Sequence, residues 1–266
     1  MTGARRVLVS AHRGGAGADP ALENTRESLD QAVALGADYV ELDVRRCKDG
    51  AFVLCHDSEV PVDGRPRQVA ELDADELAAA RPGLLRLEDA LEVLAGRARA
   101  HLDLKFRSPG SAGELAATAC AVDALGPEGV LVTTGNVRAI RAVRDWSVAG
   151  HLPVLAGLTV GGSVAGHPLP RQVLMRHAEL FPARRFVESR ANAVVANHWL
   201  ALAGVAGFAR RAGLPLVVWT VDDPTALRYW MRPGRAWLVT TNRPELALSL
   251  RANRERRRPA APPLTD

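Results

Sequence analysis

AHRGGAGADPALENTRESLDQAVALGADYVELDVRRCKDGAFVLCHD, residues 11–57, is the stretch that decides how the chain folds. Two histidines in it, His12 and His56, each follow a short apolar run that is typical of a β-strand. A third run ends in Glu41-Leu42-Asp43, and side chains two residues apart on a strand share a face. Two carboxylates on one face repel each other unless a cation lies between them, so the pattern predicts a divalent metal site.

Five short motifs follow one another in this stretch, and a sixth occurs later in the chain. They are His12-Arg13-Gly14, Glu23-Asn24-Thr25, Glu41-Leu42-Asp43, Lys48-Asp49-Gly50, His56-Asp57 and Asp103-Leu104-Lys105. In this order the motifs resemble those of the glycerophosphodiester phosphodiesterases. The likeness is strong over residues 1–105 and continues as a weaker strand pattern to about residue 250.

The strand pattern predicts an α/β fold, a TIM (β/α)8 barrel, because eight short apolar runs alternate with helical patterns. Only Arg45–Gly50 separates the second run from Ala51–His56, which is too short for a parallel crossover. We therefore expect Ala51–His56 to form an extra hairpin strand after strand two, followed by a small, reduced insertion. An open doubly wound sheet is the alternative fold, but Gly14–Gly17 does not match its G-x-G-x-x-G loop.

Length and composition fit one such barrel. The chain has 266 residues, of which 47% are hydrophobic and 24% charged. We expect a single phosphodiesterase domain over residues 1–254 and a disordered basic, proline-rich tail over residues 255–266. The net charge of +4 comes mostly from arginine, and we interpret it as a solvated surface, with no nucleic acid as partner.

Signals for membranes and secretion are weak. We see no run of 18 apolar residues, no signal peptide and no obvious amphipathic membrane helix, so stable membrane insertion is not expected. Cys47, Cys55 and Cys120 lack C-x-x-C spacing and are expected to be free thiols of a cytoplasmic protein. Because neighbours on a strand face opposite ways, Cys55 should point away from His56. The oligomeric state stays open.

Asp103, at the end of another predicted strand, joins Glu41 and Asp43 as a third candidate metal ligand. Three carboxylates suit Mg²⁺ or Ca²⁺, with Mn²⁺ also possible, better than they suit zinc. The resemblance implies the same site, since the matching carboxylates of the family bind a divalent ion, although the third is usually a glutamate. The alternative is that these acids only form salt bridges with Arg13 and Lys105.

The resemblance implies that His12 and His56 are the catalytic acid–base pair, a role that imidazole suits because it titrates near neutral pH. In the family, the glycerol hydroxyl of the substrate attacks phosphorus while one histidine takes its proton and the other protonates the leaving alkoxide. A cyclic phosphate forms and is then hydrolysed. The sequence leaves open which histidine is the acid. His101 lacks such a setting and is interpreted as structural.

Further residues are candidates for binding the substrate. Arg13 and Lys105 are expected to hold the phosphate, where charge develops during the reaction. Glu23 is expected to face the metal or the substrate, whereas Asn24 fits either the site or the cap of the next helix. Trp219 matches a tryptophan that packs against substrate in the family, and the alternative is a core aromatic.

These residues predict metal-dependent hydrolysis of small-molecule glycerophosphodiesters to sn-glycerol 3-phosphate and an alcohol. A lysophospholipase D or sphingomyelinase D-like enzyme acting on lipids is the alternative, and it would require an apolar rim around the site. A non-enzymatic phosphate-binding barrel is the third hypothesis. The chain departs from the family pattern at Thr241-Asn242, where Thr-Asp is common, and in its short insertion over residues 57–83, which predicts an open pocket.

Overall fold

The computed structural model describes residues 6–17, 19–162, 166 and 168–256. Its strands, in chain order, are β1 (Leu8–Ala11), β2 (Tyr39–Arg46), β3 (Phe52–Leu54), β4 (Glu59–Val62), β5 (Arg65–Gln68), β6 (Arg99–Leu104), β7 (Val130–Thr134), β8 (Leu155–Val160), β9 (Ala193–Asn197), β10 (Leu216–Trp219) and β11 (Leu238–Thr241). Most are rich in valine and leucine, as expected for strands that are covered on both faces.

Eight of these strands form a closed parallel ring. Hydrogen bonding runs in the order β1, β2, β6, β7, β8, β9, β10 and β11, and β11 pairs with β1 again. The predicted barrel is therefore confirmed. β3 lies outside the ring and pairs antiparallel with β2 after the tight turn at Lys48-Asp49-Gly50, so the predicted hairpin strand is confirmed as well.

Helices connect the ring strands on the outside. They are α1 (Arg26–Ala34), α2 (Ala74–Ala80), α3 (Leu87–Leu94), α4 (Ala112–Leu125), α5 (Val137–Ala149), α6 (Leu169–Leu180), α7 (Ala183–Ser189), α8 (His198–Leu200), α9 (Ala206–Arg211), α10 (Pro224–Trp230) and α11 (Pro244–Arg256). Pro182 separates α6 from α7, because a proline ring cannot continue the preceding helix. A π-helical segment, Ala201–Val205, joins α8 to α9.

Two regions differ from the sequence-based expectation. The insertion after β3 contains a β4–β5 hairpin that the polar sequence concealed, because only Val60 of its eight strand residues is buried. The last helix reaches Arg256, and the rest of the predicted tail, residues 257–266, lies outside the described residues. Among the described residues, no helix has the length and apolar character needed to cross a bilayer.

Apolar side chains pack on both sides of the ring. The larger core fills the space between strands and helices, and a smaller cluster fills the barrel interior with Tyr39, Leu131, Val195, Val217 and Leu238. Since side chains alternate along each strand, the inward positions nearer the carboxyl ends of the strands carry the polar groups described below. The three cysteines are free thiols.

Candidate active site

The turn His12-Arg13-Gly14 follows β1 directly and places two functional side chains at the mouth of the barrel. Arg13 and Gly14 both have left-handed backbone, with φ of 52° and 85°. A side chain at Gly14 would collide with Ser28, so both the conformation and the space require glycine. The turn aims the backbone N–H of Arg13 at Glu41, whose Oε2 accepts it at 2.8 Å.

Three carboxylates meet at the same mouth. Glu41 and Asp43 share the inner face of β2, and Asp43 lies directly beside Asp103 of β6 in the parallel register. Each of the three offers an oxygen, and these oxygens lie within 4.8 Å of one another. This is the arrangement that strand alternation predicted, and it brings the predicted metal ligands together.

The electrostatics of this cluster are unbalanced. Burial and the neighbouring charges of Asp43 and Asp103 raise the pKa of Glu41 well above its usual value. Burial also raises the pKa of Asp103. Burial would raise the pKa of Asp43 too, but the charges of Lys105 and Arg13 outweigh it and lower that pKa. The cluster therefore holds more negative charge than its surroundings stabilise.

Arg13 and Lys105 supply the positive charge in contact with the acids. Lys105 Nζ lies 2.7 Å from Asp103 and 3.1 Å from Asp43, and Arg13 Nε lies 2.9 Å from Asp43. Arg13 Nη1 also donates to Glu23 at 2.7 Å. The expected salt bridges thus form at Asp43, whereas Glu41 makes no ion pair with either cation among the described residues. Three carboxylates share the two cations in these contacts, so one negative charge stays formally unbalanced even before Glu41 is added.

The incomplete hydrogen bonding of Asp43, like the excess negative charge of the cluster, leaves room for a divalent ion. Asp43 Oδ1 is buried and has no aligned hydrogen-bond donor among the described residues, although Lys105 Nζ is close. A buried acceptor without a partner is costly, and a cation that accepts oxygen ligands would satisfy it. The hard oxygen donors of Glu41, Asp43 and Asp103 fit Mg²⁺, Ca²⁺ or Mn²⁺.

Asn24 belongs to this cluster and does not cap the next helix. Its Nδ2 donates to Asp43 Oδ2 at 3.1 Å, and its Oδ1 accepts the backbone N–H of Asp43 at 3.2 Å. The cap of α1 is Thr25, whose side chain accepts the N–H of Ser28. The capping interpretation of Asn24 is wrong because its left-handed backbone, with φ of 59°, turns the side chain towards β2.

His12 is held by a chain of two further side chains that sequence reasoning missed. Its Nδ1 lies 2.8 Å from Asn242 Oδ1, and both the backbone N–H and the Nδ2 of Asn242 donate to Asp222 at 2.8 Å. Since an ionised carboxylate only accepts hydrogen bonds, the amide nitrogen of Asn242 must face Asp222 and its oxygen must face His12. Nδ1 of His12 therefore carries the hydrogen, and the lone pair is on Nε2.

The environment of His12 also favours the neutral ring. Burial, together with the nearby Arg13 charge, lowers the pKa of His12 below its ordinary value of 6.5. Nε2, the unprotonated nitrogen, is 3.9 Å from Glu41 Oε2. His12 is thus a neutral imidazole whose free lone pair lies close to the carboxylate cluster.

His56 follows β3 and is the more exposed of the two histidines. Its Nδ1 lies 2.8 Å from Asp57 Oδ1, which fixes the ring through a partner that is next to it in sequence. Arg45 holds the backbone beneath, since it donates to the carbonyls of His56 and Lys105. Cys55 packs in a separate buried cluster behind β3, as strand alternation predicted.

One cleft of about 1030 Å³ unites these groups. His12, Arg13, Glu41, His56, Asp103, Lys105 and Trp219 all line it. Neither Glu23 nor Asn24 is among its lining residues, so these two act on the site through Arg13 and Asp43. Trp219 combines both alternatives, because it lines the cleft and packs on the barrel interior.

His101 forms the floor beneath Asp103, two residues earlier on β6. Its ring nitrogens lie 3.1 Å from the hydroxyls of Ser10 and Thr133. Burial lowers its pKa to about 3, so it stays neutral and structural, as expected. Motif reasoning missed the supporting roles of four residues, Asp222, Asn242, Asp57 and Arg45. Two of them, Asp57 and Asn242, lie in the sequence motifs named above, but no role was assigned to either.

The family assignment rests on the length of the match. A model of the glycerophosphoryl diester phosphodiesterase family matches residues 12–246, which run from the turn after β1 to the start of α11. The chain belongs to this family. The resemblance carried by the short motifs is therefore confirmed, and the strand-end carboxylates and histidines lie within the matched region.

Individual members of the family match over shorter segments. The chain is 37% identical over 73 residues to the human lysophospholipase D GDPD3, which covers 27% of this chain and 22% of that protein. It is 47% identical over 55 residues to a glycerophosphodiester phosphodiesterase of Caldanaerobacter subterraneus subsp. tengcongensis, covering 21% of this chain and 22% of that protein. The matches thus span about a fifth of these curated relatives.

A solved structure extends the likeness to the whole fold. It is a phosphodiesterase of Oleispira antarctica in complex with the product sn-glycerol-3-phosphate, with a TM-score of 0.67 and 19% identity. The superposition covers 92% of this chain and 96% of that chain. At this identity the likeness shows the shared barrel fold alone.

Proposed function

We propose that the protein hydrolyses glycerophosphodiesters to sn-glycerol 3-phosphate and an alcohol in a metal-dependent reaction. The observation that supports this best is the convergence of Glu41, Asp43 and Asp103 within 4.8 Å, beside His12 in one cleft with His56. Family membership supports the same reaction class. None of residues 57–83, the short insertion, is among the lining residues of the cleft.

Glu41, Asp43 and Asp103 are the residues that would hold the divalent ion, Mg²⁺ or Ca²⁺, with Mn²⁺ also suitable. When bound, such an ion neutralises charge on the phosphoryl oxygens and polarises the phosphorus towards attack. Arg13 and Lys105 add fixed positive charge at the same place, where the equatorial oxygens gain charge in the transition state. Asn24 holds Asp43 in position from behind.

His12 is the general base of this proposal. Its Nε2 lone pair takes the proton of the glycerol hydroxyl next to the diester, and the resulting alkoxide attacks phosphorus. The bond from phosphorus to the headgroup oxygen breaks, and His56, as the general acid, protonates that oxygen. The alcohol leaves, and a cyclic glycerol phosphate remains.

The second step reverses these roles. His56, now unprotonated, takes a proton from water, which attacks the cyclic phosphate, and His12 returns its proton to the glycerol oxygen. The product is sn-glycerol 3-phosphate, and both histidines regain their starting states. The tautomer of His12 supports this assignment, because the hydrogen on Nδ1 is committed to Asn242.

Turnover of glycerophosphocholine and glycerophosphoethanolamine tests the proposal, with phosphorus NMR to follow the diester, any cyclic phosphate and the product. We expect turnover with Mg²⁺, Ca²⁺ or Mn²⁺ and its loss in EDTA. Undiminished turnover in EDTA would remove the metal from the mechanism. Failure to hydrolyse any diester, with a folded protein and each ion present, would refute the function itself.

A lysophospholipase D activity is the second candidate, and one structural observation favours it. The helix α6, which contributes Met175 and Ala178 to the cleft, exposes large apolar side chains to solvent. An enzyme that acts on lipid substrates would require such an apolar rim at the mouth of the cleft. The same assay with lysophosphatidylcholine in micelles, compared with glycerophosphocholine, decides which substrate class is preferred.

A further inference from the structure

The outward face of α6 is apolar. Leu169, Val173, Leu174 and Phe181 are 62–71% exposed. At about 100° per residue, these positions fall on one side of the helix and its C-terminal end. A surface helix ordinarily turns its apolar side to the core, so α6 is reversed relative to that rule. The sequence did not reveal this face, because periodicity alone does not show which side of a helix is exposed.

Polar contacts explain why the helix is reversed. Glu179 is buried, and its carboxylate accepts the backbone N–H of Gly161 at 3.0 Å and Arg176 Nη1 at 2.6 Å. The bond from Gly161 ties the inner face of α6 to the end of β8, at the edge of the cleft, and the bond from Arg176 lies within α6. With Glu179 turned inward, the apolar side chains of the outer face are exposed to solvent among the described residues.

Neighbouring segments extend the same surface. α6 contacts the π-helical segment Ala201–Val205, which exposes Leu202, and Trp199 before it is 69% exposed. Of the nine large apolar side chains that are well exposed in the described residues, seven fall between residues 169 and 202. We call the set Leu169, Val173, Leu174, Phe181, Trp199 and Leu202 the α6 surface. Such a concentration marks an interaction site.

The charge around the α6 surface is positive. Between residues 168 and 202 the chain has five arginines and two acids, Glu179 and Glu188, and Glu179 is buried and paired with Arg176. Arg171 and Arg184 are exposed beside the apolar side chains. Apolar residues bordered by arginine complement a lipid surface with anionic headgroups.

We propose that the α6 surface docks the protein on an anionic lipid aggregate, a membrane or a micelle, with the cleft facing the headgroups. The role of this docking rests on the proposed function, since it would bring lipid to the catalytic cleft that Met175 and Ala178 of the same helix line. Docking would insert the apolar side chains among the acyl chains near the headgroups. It would also place a lipid diester next to Glu41 and His12 without its full extraction into water.

Vesicle co-sedimentation tests the docking independently of catalysis. We expect the full chain to bind phosphatidylcholine vesicles that contain phosphatidylglycerol, and to bind pure phosphatidylcholine more weakly. Leu174→Glu with Phe181→Glu should weaken binding about tenfold or more, since each side chain would lose its burial in lipid. Val148→Glu is the matched control, because Val148 is 60% exposed on α5. Binding should also fall as salt rises.

The enzyme assays separate this proposal from the proposed function. All variants should turn over soluble glycerophosphocholine normally, which also shows that they fold, while the double variant loses activity on aggregated lysolipid. If no protein turns over the soluble diester, the function fails and vesicle binding still tests the surface. Absence of vesicle binding by the unaltered chain overturns the docking. A shift from dimer to monomer in the double variant with vesicle binding unchanged also overturns it and assigns the surface to self-association.

Discussion

The two walls of the cleft are built in opposite ways. On the acidic wall, Glu41, Asp43, Asp103 and His12 turn polar groups inward. Glu41, Asp43 and His12 are each held by a partner from another element of the chain, and Asp103 is held by Lys105 at the end of its own strand. On the opposite wall, α6 keeps its polar groups for its own attachment and turns apolar side chains to solvent.

The difference implies that the acidic wall performs the chemistry and that the α6 surface delivers the lipid substrate. The acidic wall is a connected network, so a change of one atom should affect turnover on every substrate. The helix α6 lines the cleft with Met175, Ala178 and Glu179, and none of the six residues of the α6 surface is among the lining residues, so changes on that surface should affect only lipid substrates. The predictions below test that separation.

The largest effect is expected on the acidic wall at His12. His12→Gln keeps a polar side chain but removes the base, so kcat on glycerophosphocholine should fall by about 10²–10⁴-fold. His151→Asn is the matched control, because His151 is exposed with a φ of 52°, a conformation that asparagine tolerates. Equal turnover of His12→Gln and the unaltered protein would remove His12 from the mechanism.

Glu41→Gln should lower activity and raise stability at the same time. Loss of a metal ligand should reduce kcat by roughly 10²-fold. The pKa of Glu41 is raised, so the fold without metal disfavours the ionised carboxylate. The stability that the protonated side chain contributes is complete at low pH and is lost as pH rises through the folded-state pKa, whereas the amide of the variant cannot ionise and keeps it. In EDTA at pH 7.5 the variant should therefore melt about 2–4 °C higher, equivalent to ~1 kcal/mol.

The same melting experiment reports on the ion. Added Mg²⁺, Ca²⁺ or Mn²⁺ should raise the melting temperature of the unaltered protein, and the increase should shrink in Glu41→Gln. Equal increases in both proteins would place the ion elsewhere. No comparable effect is expected from substitutions on the α6 surface, which contacts none of the three carboxylates.

The sequence predicted the acidic wall well because strand alternation constrains it. Glu41, Asp43 and Asp103 had to meet once the runs that carry them were neighbouring parallel strands. Asn24 was ambiguous because a helix start and a site look alike in sequence, and only its left-handed backbone decides between them. Asp222 could not be predicted, since it acts through Asn242 and lies in no motif.

The α6 surface was beyond sequence reasoning for a different reason. Periodicity shows that a helix has two faces, but it does not show which face meets the protein. The usual assumption places leucine and valine inward, and here Glu179 reverses it by binding the backbone of Gly161. The inward hydrogen bond of Glu179 is a tertiary contact, which helical periodicity does not reveal.

Asp222→Asn should produce a smaller loss than His12→Gln. The new amide can donate as well as accept, so Asn242 can turn its nitrogen towards His12 and favour the wrong tautomer. We expect kcat to fall about 10–100-fold with little change in KM, because Asp222 positions the base and touches no substrate. Asp223→Asn is the control, since Asp223 only caps α10 and asparagine caps equally well. A change in KM with kcat preserved would contradict the positioning role.

The smallest effect separates two neighbouring residues of one motif. Thr25 caps α1, so Thr25→Ala should cost ~1 kcal/mol of stability, seen as a melting point lower by about 2–4 °C, with kcat unchanged. Asn24→Gly keeps the left-handed backbone but removes both bonds to Asp43, so its main effect should be a fall in kcat of about tenfold. If Thr25→Ala impaired catalysis as much as Asn24→Gly does, the helix cap would also support the acidic wall. The assignment of Thr25 to stability and of Asn24 to catalysis would then be wrong.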